Sequence, residues 1–367
     1  VRAGQTAKLR PINRYLTGYM MSEVLASVPD EIEDFLLRTS IVDALCGSLC
    51  DAIMATAGPA SRGQAYLEWL EGLNMFIQPM DDEHRWYRYH RLFQRLLRNE
   101  LARRVGPAEI GTIHLRASAW YAGRNRIQLA IRHALAGQDT QAAIRLVAQH
   151  RHHLLNTEQR PRLEQWLDLF PSEVIAGDPD LLLSRAWIVH HGRYAAQTVL
   201  DMVAEAQVLV DQMADQPERA RPLQGEIDTL VSIRQSFQAS DPQAVIERTT
   251  RALEMMPPEG YLVRSAAWLH LAVAYQMTGQ LDKARAVFLG AQAEDSAVPG
   301  SPRARNVGSS CFVHWIAADL PSLMQAAQVT VRVGQRVDLF ESCTWAQHFL
   351  ACACYQRNEL DLSLIHI

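Results

Sequence analysis

His90 is the residue whose type and position most invite chemistry. It follows the strand-like run Trp86-Tyr87-Arg88-Tyr89 and opens an amphipathic run with Leu92, Phe93, Leu96, Leu97 and Leu101 at i, i+3/i+4 spacing. An imidazole there can donate a hydrogen bond to a phosphate, and a protonated ring adds charge attraction. The N-terminus of the following helix puts a positive dipole at the same spot. Composition alone favours a plainer role, a histidine that caps or packs its helix. Around it runs a basic series, Arg88, Arg91, Arg95, Arg98, Arg103 and Arg104. Such a series beside a strand-to-helix junction invites a DNA-binding reading; a solvated helix face that docks on an acidic neighbour is the favoured alternative.

Other reactive residue types carry less. His150, His152 and His153 cluster, but they lack the convergent spacing of a metal site and read as surface histidines. His190 and His191 precede Gly192 and read as helix C-terminal histidines that suit the dipole. The six cysteines, Cys46, Cys50, Cys311, Cys343, Cys352 and Cys354, sit in apolar surroundings and read as small buried residues of a reducing cytoplasm. The carboxylates Asp81-Asp82 and Glu359/Asp361 fall in turns, where they are ordinary. No Ser-His-Asp or Cys-His arrangement can be argued, so neither catalytic residues, a metal nor a cofactor is expected within the chain itself. No G-x-x-x-x-G-K-[ST] phosphate loop occurs.

The elements that must position these groups are mainly helical. Hydrophobic residues make up 48% and charged residues 21% of the 367, with a net charge of -4, a globular profile without a whole-surface nucleic-acid footprint. No apolar run reaches the length of a membrane span. Short helices are expected at Asp30–Leu37 after Pro29, at Ile41–Leu45 with Ser40 as N-cap, and at Gln64–Leu73. A β hairpin follows, Met75–Met80 and Trp86–Tyr89 around the polar turn Asp81-Asp82-Glu83-His84. Helices, a two-stranded wing and another helix give a winged-helix domain over 13–105, after a stretch 1–12 that ends a preceding module or linker. Gly106-Pro107 marks the boundary.

From 106 to 367 the pattern is paired helices with short turns. The clearest pair runs from Ser265 to Gln292. Trp268, Leu271, Ala272 and Tyr275 share a face, Gly279 turns the chain, and Ala284, Phe288 and Ala291 follow. The register resembles a tetratricopeptide repeat. Weaker pairs turn at Gly137-Gln138-Asp139, at Gly192 with Tyr194 and Ala196, and near Asn358. Stacked pairs of this kind build a helical superhelix. Trp268 and Tyr275 are core packers in that register, whereas Trp315 and Trp345 fit no register and are the weak ligand-groove candidates.

Four ordered segments carry a more specific resemblance: Tyr19-Met20-Met21-Ser22-Glu23-Val24-Leu25, Phe35-Leu36-Leu37-Arg38-Thr39-Ser40-Ile41, Leu49-Cys50-Asp51-Ala52 and Trp86 to Phe93. With Leu163 to Leu167 and Asp180 to Trp187, they resemble the region after the ATPase module of large MalT-like LuxR-family transcriptional activators, within the wider class of signal-transducing ATPases. The resemblance implies a parent with four parts: a P-loop ATPase, a winged helix, a tetratricopeptide-like sensor arm and a LuxR-type DNA-binding head. This chain would be the central two, beginning at Val1 without a start residue and stopping within a helical pattern. The resemblance further implies that His90 contacts the β-phosphate of ADP held by the parent's ATPase domain. Slow ATP hydrolysis would belong to the parent. The implied partners are the parent's own ATPase and DNA-binding domains, an inducer or regulatory protein on the arm, and further copies of the parent when active. No membrane or direct nucleic-acid contact is expected for this part, and the location is expected to be cytoplasmic. A tetratricopeptide scaffold that binds only proteins, or an arm attached to another output such as a kinase or cyclase, remains an alternative.

Overall fold

The computed structural model describes residues 25, 28–56, 61–192, 196–238, 241–295, 301–359 and 361. Among them the chain forms two compact units, divided between Leu146 and Val147. The division lies beyond the Gly106-Pro107 turn because two further helices pack within the first unit.

The first unit opens with α1 (Asp30–Thr39), α2 (Gly47–Met54) and α3 (Gly63–Gly72). The expected helix at Ile41–Leu45 is absent. Ser40 Oγ donates back to the Leu37 carbonyl, closing α1 instead of capping a new helix. Leu45 is extended and exchanges two backbone hydrogen bonds with Tyr87, each 2.8 Å. A short apolar run is equally compatible with helix and strand, and here the wing decides it. The wing is β1 (Ile77–Pro79) paired antiparallel with β2 (Tyr87–Tyr89), Gln78 opposite Arg88. Asp81 holds its turn by accepting the amides of Arg85 and Trp86 at 2.9 and 3.1 Å.

Alternation along β2 buries Tyr87 and Tyr89 and exposes Arg88. Tyr89 OH meets Thr39 Oγ1 at 2.8 Å, locking the wing to α1. Next, α4 (Arg91–Arg104) buries Phe93, Leu97 and Leu101 against the same core. Asp51, on α2, accepts the backbone amides of Arg62 and Gly63 at 3.1 and 2.8 Å and so caps α3. The unit continues with α5 (Pro107–Ala122), which has Pro at its first turn, α6 (Ile127–Ala136) and the start of α7 (Thr140–Asn156).

The second unit continues α7 and adds α8 (Arg160–Leu167), α9 (Ser172–Ala176), α10 (Pro179–Gly192), α11 (Ala196–Asp211), α12 (Pro217–Phe237), α13 (Pro242–Met255), α14 (Tyr261–Met277), α15 (Leu281–Asp295), α16 (Ser301–Ile316), α17 (Leu320–Gly334) and α18 (Phe340–Gln356). From α10 onward each helix packs on the next, and α10, α12, α14 and α16 each also touch the helix two further along. This is the nearest-neighbour pattern of stacked helix pairs. In the tetratricopeptide-like pair, Trp268, Ala272, Ala284, Phe288 and Ala291 form one buried cluster, and Gly279 makes the turn at φ +74°. Other turns use Gln138 and Asn358 in the left-handed region. No described helix is long and apolar enough to cross a membrane.

Candidate functional site: the wing groove and the interior of the arm

His90 is the N-cap of α4. Its backbone N–H donates to the Phe76 carbonyl at 2.7 Å, and its carbonyl accepts from Gln94 at 2.9 Å. The backbone is thus fixed while the ring is exposed. No side chain caps this helix start, and its first turn holds no acidic residue. Arg88 projects from the exposed face of β2, while Arg91 and Arg95 sit one turn apart on α4. With Gln78, these side chains line a groove of about 620 Å³. Three guanidinium groups, an imidazole and an uncapped helix N-terminus form an anion-binding arrangement.

The rest of the basic series is engaged elsewhere. Arg98 donates to the carbonyls of Ser40 and Ile41 at 2.7 and 3.2 Å and meets Asp43 at 2.9 Å. Arg104 pairs with Glu33 and Glu100, and Arg103 with Glu100. Arg98 and Arg104 brace α4 against the body of the unit, whereas the Arg103–Glu100 pair lies within α4 itself. Of the basic series, Arg88, Arg91 and Arg95 line the groove with His90.

In the second unit two histidines, His152 and His190, differ from their reading as surface or dipole residues. His152 is half-buried, its Nε2 3.3 Å from Glu226, whereas His153 is exposed. Glu226 is itself buried, accepting from Arg151 at 2.5 and 2.9 Å and from the Trp187 indole at 3.0 Å. Burial opposes ionisation of Glu226, but Arg151 and His152 overcome it and hold the carboxyl well below its usual range. His190 is pushed down to about 4 by burial and the neighbouring His191, so it is neutral at pH 7 and cannot favour the dipole as a cation. Its helix runs on through Gly192; Tyr194 lies outside the described residues, as do the segment Tyr19–Val24 and the last residues, 362–367.

Trp345 is partly exposed on α18 and lines a cavity of about 510 Å³ within the arm. Trp315 lies 6.4 Å from Phe349, centroid to centroid, within the packing around α16–α18. All six cysteines are free thiols; five are buried and Cys352 is partly exposed. Sequence reasoning missed Glu226 and Glu158, two buried or half-buried acids whose partners lie far along the chain.

The geometry defines a class: a winged helix followed along the chain by a tetratricopeptide-like array of helix pairs. Residues 21–109 match the MalT winged helix domain. Over a longer stretch, the chain is 30% identical across 287 residues to the HTH-type transcriptional regulator MalT of Serratia proteamaculans, covering 77% of this chain and 30% of that protein. MalT of Cronobacter sakazakii is also 30% identical, over 75% of this chain and 29% of its own length. The chain therefore carries a MalT winged-helix domain and is homologous to MalT regulators over about three quarters of its length, while spanning about 30% of theirs. The serine/threonine-protein kinase PknK of Mycobacterium tuberculosis is 30% identical over 169 residues, 46% of this chain and 15% of the kinase. Among solved structures, a signal transduction ATPase with numerous domains and a tetratricopeptide repeat sensor, from Pyrococcus horikoshii, superposes with TM-score 0.56 at 12% identity. It covers 91% of this chain and 55% of that one, a likeness of fold.

Proposed function

We propose that this chain is the regulatory and signal-sensing part of a bacterial transcriptional activator whose nucleotide-binding and DNA-binding domains lie outside it. The observation that carries the reading is the His90 groove: an exposed imidazole and three arginines around a helix start that holds no acid. The donors fit a phosphate. His90 would donate to a β-phosphate oxygen of ADP bound in the neighbouring ATPase domain, with Arg88, Arg91 and Arg95 stabilising the charge. Bound nucleotide supplies the anion that holds the resting form. The chain's own residues bind and orient that anion and perform no bond chemistry.

The arm is the inducer-recognising part. An inducer that prefers the arm's active form shifts the equilibrium away from the ADP-held state by its difference in affinity, permitting ATP binding, self-association and display of the DNA-binding head. The test is a transcriptional reporter with the longer protein carrying His90→Ala. The expected result is raised activity without inducer; activity as low as the unaltered protein's counts against the reading.

The similarity to PknK favours one second reading, in which the same winged helix and arm regulate a kinase instead of a DNA-binding head. The coding sequence adjoining this chain separates the two.

A further inference from the structure

The arm contains a cavity that the repeat packing does not use. Its floor and walls come from α10, α11, α12, α14, α16 and α18, with Leu230, Ile233 and Leu269 supplying apolar surface. Two aromatic residues stand open at it: Phe237 at 75% exposure and Trp345 at 41%. Phe312 lies 5.7 Å from Trp345, ring to ring, so the two form one aromatic wall. Large aromatics left open beside a concavity mark a binding surface.

The polar groups are few and specific. His270 is buried, and its Nδ1 has no hydrogen-bond partner. The Nε2 of His191 is likewise buried without one. Both rings line the cavity. Burial and the neighbouring His190 push His270 down to about 4, so it is neutral near pH 7. Glu341, the one acid among the described residues of the wall, is already held by Arg160 at 2.5 Å and by His191 at 3.5 Å. Arg234 is different: among the described residues its guanidinium faces the side-chain amide of Gln238, just past the end of its own helix. The wall thus offers one cation bound to a neutral partner, two buried ring nitrogens without partners, and an aromatic face.

We infer that this cavity binds a small aromatic carboxylate, its ring against Phe312 and Trp345 and its carboxylate on Arg234. The volume of about 510 Å³ suits such a molecule. An amine would meet Arg234 with like charge, and a neutral analogue would forgo the charge-assisted bond. The inference rests on reading the arm as the sensing part, but binding is measured on this chain alone and does not depend on any regulatory output.

The experiment is calorimetric titration of the 367-residue chain with 4-phenylbutyrate, 4-phenylbutyramide and 4-phenylbutylamine. The acid should bind at least about tenfold more tightly than the amide, and the amine should not bind. Arg234→Gln should reduce the acid to the amide's affinity and leave the amide unchanged, while Arg234→Lys retains part of the preference. Trp345→Ala should weaken acid and amide alike. A circular-dichroism melt of each variant separates lost binding from lost folding. Equal binding of acid and amide, an Arg234→Gln variant that keeps the preference, or no heat with any of the three overturns the assignment. The His90→Ala reporter result bears only on the regulatory reading and is unaffected by these outcomes.

Discussion

Glu158 caps a helix far along the chain: its carboxylate accepts the backbone amide of Glu341 at 2.7 Å, at the start of α18. It also accepts the amide and hydroxyl of Ser342 at 3.2 and 2.8 Å, and lies 3.5 Å from the buried Arg305. Arg305 in turn donates to the Asn156 carbonyl at 2.8 Å. Residues just after α7 thereby fasten the last described helix, and Glu341 itself borders the arm cavity.

Removing this cap should loosen α18. Glu158→Ala takes away acceptors for a helix start and leaves Arg305 without its carboxylate, together costing about 2–4 kcal/mol. The expected outcome is a lowered denaturant midpoint, with new protease cleavage around the α17–α18 turn. Glu158→Gln, which keeps an acceptor but loses the charge, should fall between the two.

The buried Arg151–Glu226 pair makes a stronger prediction. Glu226→Gln removes one of the two carboxylates on a guanidinium that is only 2% exposed, leaving Asp180 at 3.3 Å, and breaking such a buried pair costs up to roughly 3–5 kcal/mol. Because the folded carboxyl titrates well below its unfolded value, the contribution is fully present above about pH 4.5 and fades as pH falls below it. An acid-unfolding curve of the wild type against Glu226→Gln should show the gap between them narrowing with acidification.

A second pH effect arises in the first unit. His114 and His133 face each other with Nδ1 atoms 2.8 Å apart, so one nitrogen donates and the other must stay unprotonated. Burial and the neighbouring His114 push His133 down to about 4, while Arg98 opposes and Asp43 favours its charging. Burial and Arg98 lower His114 as well. The unfolded rings, near pH 6.5, take up protons that the folded pair refuses, so stability is lost as pH falls from about 6.5 towards 4, by up to roughly 3 kcal/mol for a well-buried ring. His133→Phe should flatten that slope. His190 and His270 titrate in the same window, so the informative quantity is the difference between variant and wild type.

Close packing in the winged helix gives a backbone test. A Cβ at Gly63 would collide with the Gly47 carbonyl oxygen, where α2 and α3 approach, whereas one at Gly72 meets nothing within 4 Å. Gly63→Ala should cost about 1–3 kcal/mol by overpacking. Gly72→Ala should be near neutral. Equal melting temperatures for the two variants would contradict the crossing.

What could be read from the residues follows the range of the forces involved. The hairpin at Ile77–Tyr89 and the helix pair around Gly279 were legible because turn chemistry and 3.6-residue periodicity act over a few positions. Ile41–Leu45 was misread because its partner, Tyr87, is set by tertiary pairing. The neutrality of His190 depends on burial by other helices, and the cap from Glu158 to Glu341 leaves no local pattern. For His90, its place between strand and helix was visible, while the division of the arginines into braces and groove residues required Ser40, Ile41, Asp43 and Glu33 in space.

If the His90 groove holds a nucleotide phosphate as proposed, release of fluorescent ADP from a longer protein that contains this chain and the ATPase domain measures it directly. His90→Ala should release ADP at least about tenfold faster, the loss of one charge-assisted contact, and His90→Gln, which retains a donor, should recover part of the difference. Identical release from wild type and His90→Ala would contradict the claim.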